Sequence, residues 1–223
     1  MKLLAVDTAT TSCSVALFDD ERLLAEGWYG MGATHSRHLM AMIQEILGRC
    51  DCTPAQIDGI AVTRGPGTFT GLRIGISTVK GLAAATGARV VGVSSLAALA
   101  DPLALLPGPV IPMIDARRGE LYTACYRRGV VDGAAQVHAP ATVAADLPPN
   151  AVLVGSGALL YRDLFAERCP GVRFADAGQH VIRAASVGLL ALARFSRGET
   201  DAVATLVPDY IRASDAQVHH TGK

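Results

Sequence analysis

The chain has 223 residues, half of them hydrophobic, which is enough apolar material for one large domain or two compact lobes. Its 20 Lys and Arg balance 20 Asp and Glu, and no basic run exceeds two residues, which argues against an autonomous grip on an RNA backbone. Asp7 interrupts the apolar opening before a signal-peptide core can form, and no stretch reaches the roughly 20 apolar residues of a membrane helix, so a cytoplasmic protein is expected.

Residues 3–6 read as a buried strand and 14–18 as a second, with the polar segment 7–12 turning between them. A third strand over 22–29 completes an antiparallel meander. From Thr34, a candidate N-cap, the period changes: Leu39, Met42, Ile43, Ile46 and Leu47 follow helical spacing up to Gly48. A strand over 57–63, a loop over 64–70, a helix over 71–86 capped by Gly87 and a strand over 89–93 make a β-α-β unit, hence a parallel strand pair.

Pro102, Pro107, Gly108 and Pro109 form the clearest breaker cluster and place a boundary between lobes at 1–103 and 108–223. The second half restarts in the style of the first, with a strand over 110–114, a polar turn over 115–119 and a strand over 120–126. A short strand over 151–154, a turn at Gly155-Ser156-Gly157 and helices over 158–167 and 184–196 follow. Two lobes that each open on strand, Asp-containing turn and strand predict an α/β fold of the two-lobed, actin-like ATPase type, a duplicated ribonuclease H-like unit with a cleft between lobes.

Asp7, Thr8 and Thr10 in the first turn offer a carboxylate and hydroxyls that could hold a phosphate or a hydrated cation, or satisfy their own backbone. No glycine lies within that turn to admit a phosphate. Asp115 and Arg117 occupy the corresponding turn of the second half, and with Gly155 and Gly157 they complete a candidate, degenerate nucleotide cleft.

The stretch 64–75, reading Arg-Gly-Pro-Gly-Thr-Phe-Thr-Gly-Leu-Arg-Ile-Gly, lacks the Gly-Lys-Ser/Thr ending of a P-loop. Its glycines at a helix start permit anion binding. They equally permit close helix packing, with Gly71, Gly75, Thr78 and Gly81 forming a small-residue face beside Leu72, Ile76 and Val79.

His35 and His38 are spaced for joint ligation, but no third ligand stands near them. Cys13, Cys50, Cys52, Cys125 and Cys169 include no Cys-x-x-Cys pair, and no nucleophile with an evident base appears. No catalytic residue, metal or cofactor is expected.

Five ordered blocks, Val6 to Thr10, His35-Ser36, the stretch 64–75, the stretch 115–122 reading Asp-Ala-Arg-Arg-Gly-Glu-Leu-Tyr, and Pro208-Asp209-Tyr210-Ile211-Arg212, together resemble the bacterial TsaB family, also called YeaZ. That resemblance implies an actin-like fold and a non-catalytic place in the machinery that threonylcarbamoylates the adenosine beside the anticodon in tRNAs reading codons that start with adenine. The partners it implies are the catalytic paralogue TsaD and the ATPase TsaE, with tRNA held only through the complex and a homodimer possible for the chain alone.

The paralogue carries two metal-binding histidines four apart, and continuing the match from Val93 puts Ser95 and Leu99 at those positions. The family pairs its first two helices with those of the paralogue, which makes His35, Leu39, Met42, Ile43 and Ile46 on one helix and Gly71, Leu72, Gly75, Ile76 and Val79 on the other the expected partner-binding residues. The rival expectation is a stand-alone enzyme of the same fold, either a nucleotide-dependent phosphotransferase or a glycoprotease-like peptidase.

Overall fold

The computed structural model describes residues 1–30 and 35–211, with the backbone alone for 35–37. Thr34, the side chain of His35 and Arg212 therefore lie outside the described residues.

The chain opens with β1 (Lys2–Asp7), β2 (Ser12–Asp19) and β3 (Arg22–Gly30), followed by α1 (His35–Arg49), β4 (Gly59–Gly65), α2 (Phe69–Thr86) and β5 (Arg89–Ser94). These strands form one sheet in the order β3-β2-β1-β4-β5, with β1 antiparallel to β2 and parallel to β4, and β4 parallel to β5. Next come α3 (Ser95–Ala100), β6 (Val110–Arg117), β7 (Glu120–Arg127), β8 (Val130–His138), α4 (Pro140–Ala145), β9 (Val152–Val154), α5 (Ser156–Leu160), α6 (Arg162–Arg168), β10 (Arg173–Phe174) and α7 (Ala184–Phe195). The second sheet runs β10-β9-β6-β7-β8, which is the first order read from the other side. The duplicated α/β topology expected from the sequence is thus present.

β1 is apolar on both faces because both faces are covered. Leu4 and Val6 pack with Val15, Leu17, Leu39, Ile43, Ile60 and Ile76 under α1 and α2. Leu3 and Ala5 pack on the opposite face with Phe18, Val91, Val187, Ala191 and Phe195. α7 therefore returns from the second half of the chain to cover the first sheet; a Cβ at Gly188 would overlap the Phe18 ring, which explains the small residue there. The same apolar cluster continues through Leu96 and Leu99 of α3 to Ile114, Tyr122, Tyr126 and Val154 of the second sheet, so the two lobes share one core.

Several elements differ from the sequence reading, which has no counterpart for the short α3, α4 and β10. α2 begins at Phe69, two residues before Gly71, because the Thr68 side chain accepts the Gly71 N–H and caps the helix. The segment read as one helix over 158–167 is two short helices that meet at Tyr161. The sequence reading has no counterpart for β8, an edge strand exposed along most of its length and therefore without an apolar-polar alternation to show.

Candidate functional site

Asp7 ends β1 and is fully buried. Its Oδ1 accepts the Ala9 N–H at 3.1 Å and the Thr63 hydroxyl at 2.8 Å, while Oδ2 meets no hydrogen-bond partner among the described residues. Burial raises the carboxyl to about 7, against the opposing pull of those two hydrogen bonds. Thr8 follows, also buried, and its hydroxyl donates to the Gly71 carbonyl at 2.7 Å. The Thr10 and Ser12 hydroxyls face each other at 3.1 Å, and Thr68 N–H donates to the Ala9 carbonyl at 2.7 Å.

This arrangement settles which way the glycines of the stretch 64–75 face. A Cβ at Gly67 would overlap the Ala9 carbonyl, one at Gly71 the Thr8 carbonyl, and one at Gly75 the Thr8 hydroxyl. Gly71 and Gly75 close the helix start onto the Asp7–Thr8 turn of the same chain, so the small-residue face does not run unbroken from Gly71 to Gly81. Gly81 is different: it is exposed, and nothing described lies within 4 Å of where its Cβ would stand.

The second lobe repeats the device. Asp115 Oδ1 accepts the Arg117 N–H at 2.8 Å, two residues on, and its other oxygen pairs with the Arg117 guanidinium at 3.2 Å. Ser156 Oγ accepts the Asp115 N–H at 3.2 Å. Gly155 has φ +109°, and a Cβ there or at Gly157 would press on Met113. His180 supports this turn from beneath, with Nδ1 accepting the Gly155 N–H at 3.0 Å and Nε2 donating to the Ala175 carbonyl at 2.9 Å. Thr63, Ser156 and His180 are not among the site residues expected from the sequence, because a hydroxyl or a buried imidazole that serves a single neighbour leaves no spacing pattern.

The expected cleft residues thus fall into two groups, Asp7 and Thr8 with the glycine loop of the first lobe and Asp115 and Arg117 with the Gly155 turn of the second. Leu99 reaches across to the second group, where a Cβ on Gly155 would meet its side chain. Ser95 is buried and its hydroxyl has no partner among the described residues. Cys13, on β2, is buried, and burial reinforced by Asp7 pushes its thiol up to about 12, which keeps it protonated.

On the helices, Leu39, Met42, Ile43 and Ile46 of α1 and Leu72, Ile76 and Val79 of α2 are buried against the chain's own first sheet. The sequence reading assigned them to a partner; their side chains fill the monomer core, because α1 has one apolar stripe and the sheet takes it. The outward-facing residues include Met40, Ala41 and Gln44 on α1, beside His38, Glu45, Gly48 and Arg49, and Phe69, Arg73, Ser77, Gly81 and Ala85 on α2, beside Thr70 and Ala84.

Fold and site together define a two-lobed, actin-like α/β protein whose paired turns are closed by its own glycine loops. The solved ROK hexokinase from Thermus thermophilus shares that fold with a TM-score of 0.52 at 17% identity, over 86% of this chain and all of that one. The family model for TsaD, tRNA N6-adenosine threonylcarbamoyltransferase, matches residues 31–219. The tRNA threonylcarbamoyladenosine biosynthesis protein TsaB of Escherichia coli is 36% identical over the whole of both chains. YeaZ from Pseudomonas aeruginosa superposes with a TM-score of 0.82 at 34% identity, over 94% of this chain and 99% of that one. The chain belongs to the TsaB (YeaZ) family, whose function is tRNA threonylcarbamoyladenosine biosynthesis. Among the described residues no helix is long and apolar enough to cross a membrane.

Proposed function

We propose that this chain is the non-catalytic subunit of a cytoplasmic tRNA threonylcarbamoyl transferase assembly, docking the catalytic paralogue TsaD through the outward faces of α1 and α2 and working with the ATPase TsaE. The lobes 1–103 and 108–223 serve it as a frame for that face, with tRNA held by the assembly as a whole. The observation that carries the reading is Gly81. A glycine inside a helix costs about 1 kcal/mol relative to alanine. The described fold gives Gly81 no internal reason, unlike Gly71 and Gly75, whereas a helix of another protein approaching closely supplies one. Ser77 and Ala85, one turn to either side, keep the approach open, and Met40 on α1 adds an adaptable, exposed apolar contact.

The buried stripe Leu39, Met42, Ile43 and Ile46 then acts indirectly, by fixing α1 on the sheet. The packing of Leu99 against Gly155, at a position where the family's catalytic paralogue carries a metal-binding histidine, supports a subunit without that centre. The same outward face offers the chain a self-pairing surface when the paralogue is absent.

Reconstitution tests this. In a mixture of tRNA, threonylcarbamoyl adenylate, TsaD and TsaE, omitting this chain should abolish modification, and this chain alone should produce none. Modification by the chain alone would refute the non-catalytic assignment.

A further inference from the structure

The segment after α7 runs back along α2. Asp201 forms a bridge with Val90 on the outer edge of β5, and its carboxylate accepts the Gly92 N–H at 2.7 Å and the Arg194 guanidinium at 3.0 Å. Lys80 donates to the Ala204 carbonyl at 3.2 Å, and Leu206 is buried in the core beneath α1 and α2. Asp209 N–H donates to the Arg64 carbonyl at 2.7 Å, and its own carbonyl leaves no room for a Cβ on Gly65. α1 lies over β2 and β3, α2 over β4 and β5, and this strap follows the free edge of β5, so α2 runs between α1 and the strap.

The strap reaches the first turn of α2 at Tyr210. Its ring stacks on Phe69 with centroids 5.4 Å apart and planes 25° from parallel. The Arg73 guanidinium lies 3.7 Å over the Phe69 ring, and Arg73 Nε donates to the Tyr210 hydroxyl at 3.2 Å. The three side chains fix one another's rotamers, yet Phe69 stays 39% exposed and Tyr210 38%. Tyr210 thus covers another exposed aromatic instead of core.

Position along α2 says what this cluster belongs to. Phe69, Arg73, Ser77, Gly81 and Ala85 are spaced by four and all exposed, an oblique row of about 24 Å that turns about 40° per step across the outward side of α2, with the aromatic cluster at one end and Gly81 toward the other. Aromatic and Arg side chains held in place beforehand are the types that carry binding energy at interfaces, because little rotamer freedom is lost on contact.

Resting on the reading that α2 docks the catalytic paralogue, we infer that the C-terminal strap is the third element of that docking face and that Tyr210, stacked on Phe69 and Arg73, is a contact residue for the paralogue. The surface it fits is an apolar patch with a carboxylate placed for Arg73.

The test is binding of purified TsaD to the full chain and its variants, by calorimetry well below the melting temperature, with melting curves recorded in parallel. Tyr210→Ala should weaken binding roughly tenfold with a melting temperature close to the parent's, while Tyr210→Phe, which keeps the stack, should bind within about threefold of the parent. Gly81→Arg, on the same row, checks the underlying reading and should abolish binding. If Gly81→Arg abolishes binding and Tyr210→Ala binds like the parent, the strap is no part of the interface and the docking of α2 stands. If both variants bind like the parent, the reading and the inference fail together. A Tyr210→Ala chain whose melting temperature falls by more than about 5 °C assigns the residue to the fold and overturns the inference.

Discussion

Asp7 and Asp115 occupy the sixth position of the first strand in their respective lobes, and each accepts the backbone N–H two residues on. Beyond that shared turn their surroundings diverge. Asp7 is sealed under the glycine loop that follows β4, with one oxygen unsatisfied among the described residues, whereas Asp115 keeps contact with solvent and is neutralised by its own neighbour Arg117. A duplicated topology repeats the backbone geometry of a turn, while the electrostatics of each copy depends on what the following loop does. In both copies that loop closes inward on its own lobe, through Gly67, Gly71 and Gly75 in one and Gly155 and Gly157 in the other.

The largest test of the contrast is pH. The folded-state carboxyl of Asp7 stands at about 7, above its ordinary value of 3.8, so the folded chain holds that proton more tightly than the unfolded chain does. Its contribution to stability is fully present below pH 4 and is lost as pH rises through 7, roughly 4 kcal/mol at 1.36 kcal/mol per unit. Asp7→Asn should therefore flatten the stability curve between pH 4 and 8, as denaturant melts at several pH values would reveal. An unchanged slope would mean that water reaches Oδ2.

Next in size, Gly71→Ala and Gly155→Ala should each destabilise the chain by about 3 kcal/mol in urea melts, since each Cβ meets a carbonyl oxygen that cannot retreat. If one is tolerated, the two loops are not equivalent closures.

Gly81→Ala should have the opposite sign, stabilising the isolated chain by up to about 1 kcal/mol, because the helix gains and nothing described is struck. The same substitution should weaken TsaD binding, so that stability and affinity move apart. Smallest of all, Asp115→Asn should cost less than about 1 kcal/mol in the same melts, as expected of a solvent-contacting pair with the exposed Arg117.

Much of this was legible beforehand. The meander, the β4-α2-β5 unit and the Gly87 cap follow from period, turn residues and a glycine just past the helix, which the structure places at φ +76°. What period could not reveal is direction. The stripe Leu39 to Ile46 states that one side of α1 is covered, and the sheet and a partner cover it equally well on paper. A glycine carries even less: Gly71 and Gly81 look alike in sequence, and the neighbours of their missing Cβ atoms separate them. The Asp7–Thr63 and Tyr210–Phe69 pairs join residues 56 and 141 positions apart, beyond the reach of local pattern.

The return of α7 to the first sheet has a consequence for synthesis. The face carrying Leu3, Ala5, Phe18 and Val91 is complete in sequence once Ser94 has emerged, yet Val187, Ala191 and Phe195 that cover it lie nearly a hundred residues downstream. At translation rates of about 5–20 residues per second, the nascent chain carries that open apolar face for on the order of ten seconds. The first lobe to be made is thus the last to be finished, and a chain that stalls before α7 presents the ribosome's chaperones with a sheet that has α3 alone against one side.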